Sequence, residues 1–167
     1  ESEENNYGPV TSSNYETVRT IERLKEWIDN IRSYGYVAFD TETTGLDEMK
    51  AELVGVSLCV KPGNACYVPI GHKEGDPTDG LFGSSKLCAD QIPIDLVIGL
   101  LRPILDDPSI LIIGQNIKYD IKVLSKYGLE VNAIDDTMLM SYAMHGGLHR
   151  QLWTCYLKNI CIMCLFL

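Results

Sequence analysis

The sequence predicts one α/β domain built on a mixed sheet, with an antiparallel hairpin inside it and helices on its flanks. Three observations lead there. Strand-like and helix-like segments alternate through the second half of the chain, a pattern that implies parallel pairing. In the first half, two apolar runs flank Lys61-Pro62-Gly63-Asn64, with Pro and Gly where a type II turn needs them. The third is bulk: 167 residues with 46% hydrophobic and 22% charged side chains suit one sizeable core and exclude a disordered, collagenous or membrane-bundle chain.

Residues 1–13 are polar, contain Gly8 and Pro9, and read as a linker or the end of one. From Thr20, a good N-cap, the apolar positions Ile21, Leu24, Ile28 and Ile31 recur at helical spacing until Gly35 stops the helix. A short apolar strand follows over 36–41. Residues 52–60 form the next, with Val54, Val56, Leu58 and Val60 alternating as in a half-buried strand, and 65–70 return antiparallel after the turn. Residues 71–91 are rich in Gly and Pro and read as a long surface loop. Pro93 opens a helix with the stripe Ile94, Val97, Ile98 and Leu101, which Pro103 is expected to kink or restart. Residues 110–113 form a strand. Asn116 is expected to cap a helix whose Ile117, Ile121 and Leu124 face inward and which Gly128 ends. A further strand is expected over 131–134 and a further helix over 136–144.

Charge narrows the function. With 23 Asp and Glu against 14 Lys and Arg the net charge is −9, so the surface repels polyanions and any contact with nucleic acid must be local or metal-mediated. The acidic N-terminus is unlike a secretory signal, and the six cysteines read as reduced thiols of a cytoplasmic protein. Residues 151–167 stand apart: one charged residue, Lys158, and three of the cysteines. That stretch is too short and interrupted for a membrane span.

The sharpest chemical feature is Asp40-Thr41-Glu42 at the end of the first apolar strand. Residues two apart on a strand share a face, roughly 6–7 Å apart. Two carboxylates on one buried face either repel until one is protonated or serve as hard oxygen ligands for Mg²⁺ or Mn²⁺. The plainer reading is a strand end meeting water. Thr43-Thr44-Gly45-Leu46 adds a small-residue turn with an apolar tip where a nucleobase can lean. Asn116-Ile117-Lys118-Tyr119-Asp120 again follows a strand and brings Asp120 to the carboxyl edge, where α/β sheets bind ligands. Read alone, Asn116 is a cap and Asp120 an acid that favours a helix start; read together they suggest a third converging carboxylate.

Four segments carry a resemblance: Val37-Ala38-Phe39-Asp40-Thr41-Glu42-Thr43, Leu53-Val54-Gly55-Val56-Ser57, Gly114-Gln115-Asn116-Ile117-Lys118-Tyr119-Asp120 and Asp136-Thr137-Met138-Leu139-Met140-Ser141-Tyr142. In order and spacing they resemble the 3′–5′ exonuclease domain of bacterial A-family DNA polymerases, within the DEDD exonucleases, from about residue 15 to 150. The resemblance implies a ribonuclease H-like α/β fold over 14–150. It also implies hydrolysis of nucleotides from the 3′ end of single-stranded or frayed DNA, aided by two divalent metal ions (Mg²⁺ or Mn²⁺). By position, Asp40 would bridge both metals, Glu42 would bind the one that holds the attacking water, and Asp120 would bind the other. Leu46 would wedge against the terminal base. Thr41, Gln115, Asn116 and Tyr119 would contact the last sugar and phosphates. Lys118, Lys122 and Lys126, at four-residue spacing, would assist, or simply form a solvated face. The partners implied are the DNA end and the polymerase portion, with no membrane.

The family's third motif, Y-x-x-x-D, which supplies a fourth carboxylate and a tyrosine that orients the water, is expected after residue 150 and does not occur. Tyr36 to Asp40 and His72 to Asp76 match its spacing but lie in the wrong elements. Residues 151–167 therefore read as a frame-shifted or aberrant end, with reduced activity best supported by Mn²⁺ as the consequence. A rival reading places zinc on His145, His149, Cys155, Cys161 and Cys164. Two further functions compete with the exonuclease: an inactive module that binds a DNA end or a partner, and an RNA-processing member of the same superfamily.

Overall fold

The computed structural model describes residues 14–74 and 86–145, without the side chains of Met144 and His145. In chain order the elements are β1 (Asn14–Thr17), α1 (Ile21–Tyr34), β2 (Tyr36–Thr43), β3 (Leu53–Lys61), β4 (Asn64–Pro69), β5 (Lys73–Glu74), β6 (Lys86–Leu87), α2 (Ile94–Leu105), β7 (Leu111–Gly114), α3 (Lys118–Ser125), β8 (Ile134–Asp136) and α4 (Thr137–His145). Six strands make one sheet in the order β1-β4-β3-β2-β7-β8. The β2–β3 and β3–β4 pairs are antiparallel, whereas β7 lies parallel to both β2 and β8. The mixed sheet expected from the sequence is thus present, hairpin included. Gly63 turns it at φ 79°, the left-handed conformation glycine adopts at no steric cost.

One face of the sheet, with Phe39, Val56, Leu58 and Val68, packs in a single apolar core with Leu24, Trp27 and Ile31 of α1 and Val97, Leu101 and Ile104 of α2. Thr20 caps α1 by accepting from the Arg23 amide at 3.3 Å, and Gly35 ends it at φ 72°. The opposite face carries small residues, Ala38, Cys59 and Ala65, against Tyr15. A half-buried β3 was the expectation, but Leu58, Cys59 and Val60 in succession are at most 3% exposed. Tyr15 and the small residues Ala38 and Ala65 cover Cys59 on the second face, so the simple alternation fails.

Other expectations need correction. Residues 14–17, unassigned from the sequence, form β1 parallel to β4, with Asn14 opposite Asn64. The 71–91 loop contains the two-stranded ribbon β5–β6. Pro103 neither breaks nor restarts α2, which runs through it. The carbonyl that a proline ring would crowd belongs to Gly99, one turn earlier, and Pro103 lies in the last turn. The last strand is Ile134–Asp136 rather than 131–134. Polar Asp135 and Asp136 disguise it, and pairing with Ile113 and Gly114 decides its register.

Asn116 is not the cap of α3. It sits at φ 54°, the left-handed region, whereas an N-cap needs extended backbone, and α3 begins without a side-chain cap. Its amide donates to Asp136 Oδ1 at 3.0 Å, an oxygen that also accepts from the Met138 and Leu139 amides and so caps α4. Gly114 permits this tight β7–α3 turn, since a Cβ there would lie 2.8 Å from Ile117 Cγ1.

Candidate active site

Asp40 and Glu42 flank Thr41 where β2 runs past the end of β7. The parallel pairing of β2 with β7 is registered only from Tyr36 to Ala38, so the Thr41 amide is left without a strand partner on that side. Asp120, in the first turn of α3, takes that place. Its Oδ1 accepts from the Thr41 amide at 2.9 Å and from the Thr41 hydroxyl at 2.6 Å. Buried polar groups are costly unless paired, and Thr41 and Asp120 are buried together, 7% and 3% exposed. Asp40 and Glu42, on the opposite face of β2 from Thr41, are half-buried.

Electrostatics mark this cluster. Burial, then the charge of Asp120, then that of Glu42, push the Asp40 carboxyl up to about 7. Burial also raises Asp120, against the pull of its two bonds from Thr41, and the charge of Asp136 adds to the rise. A carboxyl pushed up by burial and by neighbouring acids, as Asp40 is, is what a bound divalent cation relieves, and oxygen ligands are the type Mg²⁺ and Mn²⁺ take. The donor chemistry fits, although among the described residues no three His, Cys, Asp or Glu side chains are yet gathered closely enough to hold a metal.

The loop beyond β2 is tied to α3. The Tyr119 hydroxyl donates to the Gly45 carbonyl at 2.5 Å and lies 2.6 Å from the Thr43 hydroxyl, which also reaches Gly45 at 3.0 Å. Lys122 pairs with Glu48, Lys126 donates to the Ala51 carbonyl, and the Leu53 amide donates to Tyr127 at 3.0 Å. Two of the three lysines at four-residue spacing therefore hold the loop instead of forming a solvated face. Beside this anchorage Leu46 is 95% exposed. Gln115 is half-buried and Asn116 exposed, both in the β7–α3 turn.

The site has a second rim that sequence reasoning missed. On the face of β2 that carries Asp40 and Glu42, the cross-strand rows run Asp40, Ser57, Tyr67 and Glu42, Gly55, Pro69. The Tyr67 ring leans over Gly55, where a Cβ would lie 1.9 Å from the phenolic oxygen. Burial and the charge of Glu42 push that phenol up to about 12. The signal in the sequence was a glycine inside a strand, which marks a close approach. His145, His149 and the tail cysteines proposed for zinc, and residues 151–167 altogether, lie outside the described side chains.

A six-stranded mixed sheet with acids at the carboxyl end of its central strand is the ribonuclease H-like fold of exonucleases. Trypanosoma brucei RNase D, solved in complex with RNA U12, superposes with a TM-score of 0.60 at 18% identity, over 79% of this chain and 40% of that one. Brucella melitensis NrnC gives 0.53 at 19% identity, over 83% and 55%. At sequence level the profile of the 3′–5′ exonuclease family of A-type DNA polymerases matches residues 15–160. DNA polymerase I of Rhizobium leguminosarum is 43% identical over 148 residues, 83% of this chain and 14% of that protein. DNA polymerase I of Pseudomonas aeruginosa is 36% identical over 140 residues, 82% and 14%. The chain belongs to this 3′–5′ exonuclease family, a family of hydrolases, and spans about one seventh of the curated relatives it matches. Among the described residues no helix is long and apolar enough to cross a membrane.

Proposed function

We propose that this chain removes nucleotides from the 3′ ends of single-stranded or frayed DNA by hydrolysis, with Asp40, Glu42 and Asp120 holding two divalent cations. The observation that carries the reading is the bond of Asp120 to the Thr41 amide and hydroxyl, which seats the third acid beside the residue that stands between Asp40 and Glu42. When bound, such ions supply the positive charge that brings water toward deprotonation near neutral pH and offsets the charge of the reacting phosphate. That charge also answers the −9 of the chain, since a polyanion need only be attracted at one point.

The chain's own groups do the positioning. Thr41, with its hydroxyl committed to Asp120, acts through that carboxylate rather than on the sugar directly. Leu46 offers an apolar edge to the terminal base, and Tyr119 keeps the turn that carries Leu46 in place. Gln115 and Asn116 border the same edge of the sheet and are assigned to the last sugar and phosphates. In the reaction, a water oxygen bonds to the terminal phosphorus and the P–O3′ bond to the preceding sugar breaks. The departing O3′ takes a proton from solvent, and a nucleoside 5′-monophosphate leaves.

Identity to DNA polymerases favours DNA over RNA as the substrate. A single strand labelled at its 5′ end, incubated with Mg²⁺ or Mn²⁺, should shorten stepwise from the 3′ end, faster with Mn²⁺ and much less with Asp40→Ala. A protein that binds a DNA end with either ion present but never shortens it would instead support the inactive binding module. Faster shortening of an RNA strand than of DNA would support the RNA-processing reading.

A further inference from the structure

We propose that Tyr67, braced by His72, is a positioning residue for Glu42: its hydroxyl, seated opposite that side chain, is the donor the carboxylate turns to when a cation binds. The assignment rests on the metal-dependent reading of the carboxylate site and goes beyond it by naming a second rim on β4. It is also separate from the tyrosine of the third motif, which the family resemblance places on a later helix.

The strand register makes the argument. Gly55 on β3 stands directly opposite Glu42 on β2. A Cβ at Gly55 would lie 1.9 Å from the Tyr67 oxygen and 2.3 Å from Cζ, so the phenol occupies the seat of a side chain that faces Glu42. Directly opposed Cβ positions in an antiparallel pair are about 4.5–5.5 Å apart.

The phenol is also held from behind. Tyr67 Oη lies 2.7 Å from His72 Nε2, with the two rings edge-on at 5.7 Å. His72 is fixed in turn by the Gln91 side chain, which accepts from its amide and donates to its carbonyl, both at 3.0 Å. With the proton on Nε2, His72 donates to the phenolic oxygen and leaves the single phenolic proton for Glu42. A lone aromatic packed over a sheet needs no such brace.

Groups that orient a metal-binding carboxylate are worth about tenfold or more in metal affinity. Mn²⁺ titration by calorimetry, with thermal melting of each metal-free protein, tests the assignment on the chain and its variants Asp40→Ala, Tyr67→Phe, His72→Ala and His72→Gln. The parent should bind Mn²⁺ and Asp40→Ala should lose it. Tyr67→Phe and His72→Ala should each weaken binding about tenfold, and His72→Gln, which keeps a donor, should recover most of the loss even where the melting temperatures of the histidine variants agree. If the parent binds and Asp40→Ala does not, but Tyr67→Phe titrates like the parent, the role of Tyr67 is overturned and the carboxylate site stands. If the parent itself binds no Mn²⁺, the metal-dependent reading falls and the role of Tyr67 with it.

Discussion

Asp40 shows how one side chain couples stability to pH. In the fold its carboxyl titrates near 7 against an ordinary 3.8, because it is buried and because Asp120 and Glu42 lie close. Between those values the folded chain keeps a proton that the unfolded chain has released, so metal-free stability falls as pH rises through that window and levels off above it. Melting of metal-free protein should therefore be about 5–10 °C lower at pH 8 than at pH 5 from this group, and Asp40→Asn should flatten the dependence. Thr41 belongs to the same scale. Its hydroxyl bond to Asp120 is buried and charge-assisted, so Thr41→Val should cost about 1–2 kcal/mol, read as a lower urea midpoint with an unchanged slope. Sequence reasoning proposes Asp40, Glu42 and Asp120 by residue type and position. It could not find that Thr41 points to the other face and spends its hydroxyl on Asp120, because that bond joins residues 79 apart.

At the scale of elements, β1 is the instructive case. Its four residues, Asn14–Thr17, carry no strand-like alternation strong enough to be seen, and three of its side chains are polar. What makes it a strand is the free edge of β4 and the anchorage of Glu16. That carboxylate accepts from Arg23 Nη2 at 2.6 Å and from Trp27 Nε1 at 2.8 Å, and these bonds lower its pKa. Glu16→Gln should release β1 from α1, costing about 1 kcal/mol and speeding amide exchange at Tyr15 and Thr17 while β2 and β3 keep their protection. The loop between β2 and β3 follows the same logic in the opposite direction. Thr43 to Glu52 looks free in sequence, yet α3 pins it through Tyr119, Lys122 and Lys126, so Leu46 is exposed on a fixed support.

For the whole molecule the proposed function sets an acidic chain against a polyanionic substrate. Twenty-three acids against 14 bases exclude a general electrostatic attraction, and in the proposed function the exception at the end of β2 is made by cations. A ligand that binds the folded chain alone raises its melting temperature by mass action. Millimolar Mn²⁺ should therefore stabilise the protein at pH 8, where Asp40 is ionised, and do so far less at pH 5, where a proton competes for the same oxygen. Differential scanning fluorimetry at the two pH values measures both, and equal shifts in Asp40→Ala would show that the ion binds elsewhere.

By itself the sequence determined the fold class, because hydrophobic periodicity, the Pro-Gly turn and the cap signals of Thr20 and Gly35 are local and survive in one dimension. The D-x-E of β2 and the acid of α3 were legible for the same reason, being fixed to the ends of recognisable elements. The tertiary structure alone decided which partners those acids have. Burial on both faces of β3, the left-handed turn at Asn116, the bond from Thr41 to Asp120 and the seat of Tyr67 over Gly55 all depend on strand order and register. A side chain's environment is set by which strand lies beside it, and neighbouring strands are brought together by the packing of the whole sheet.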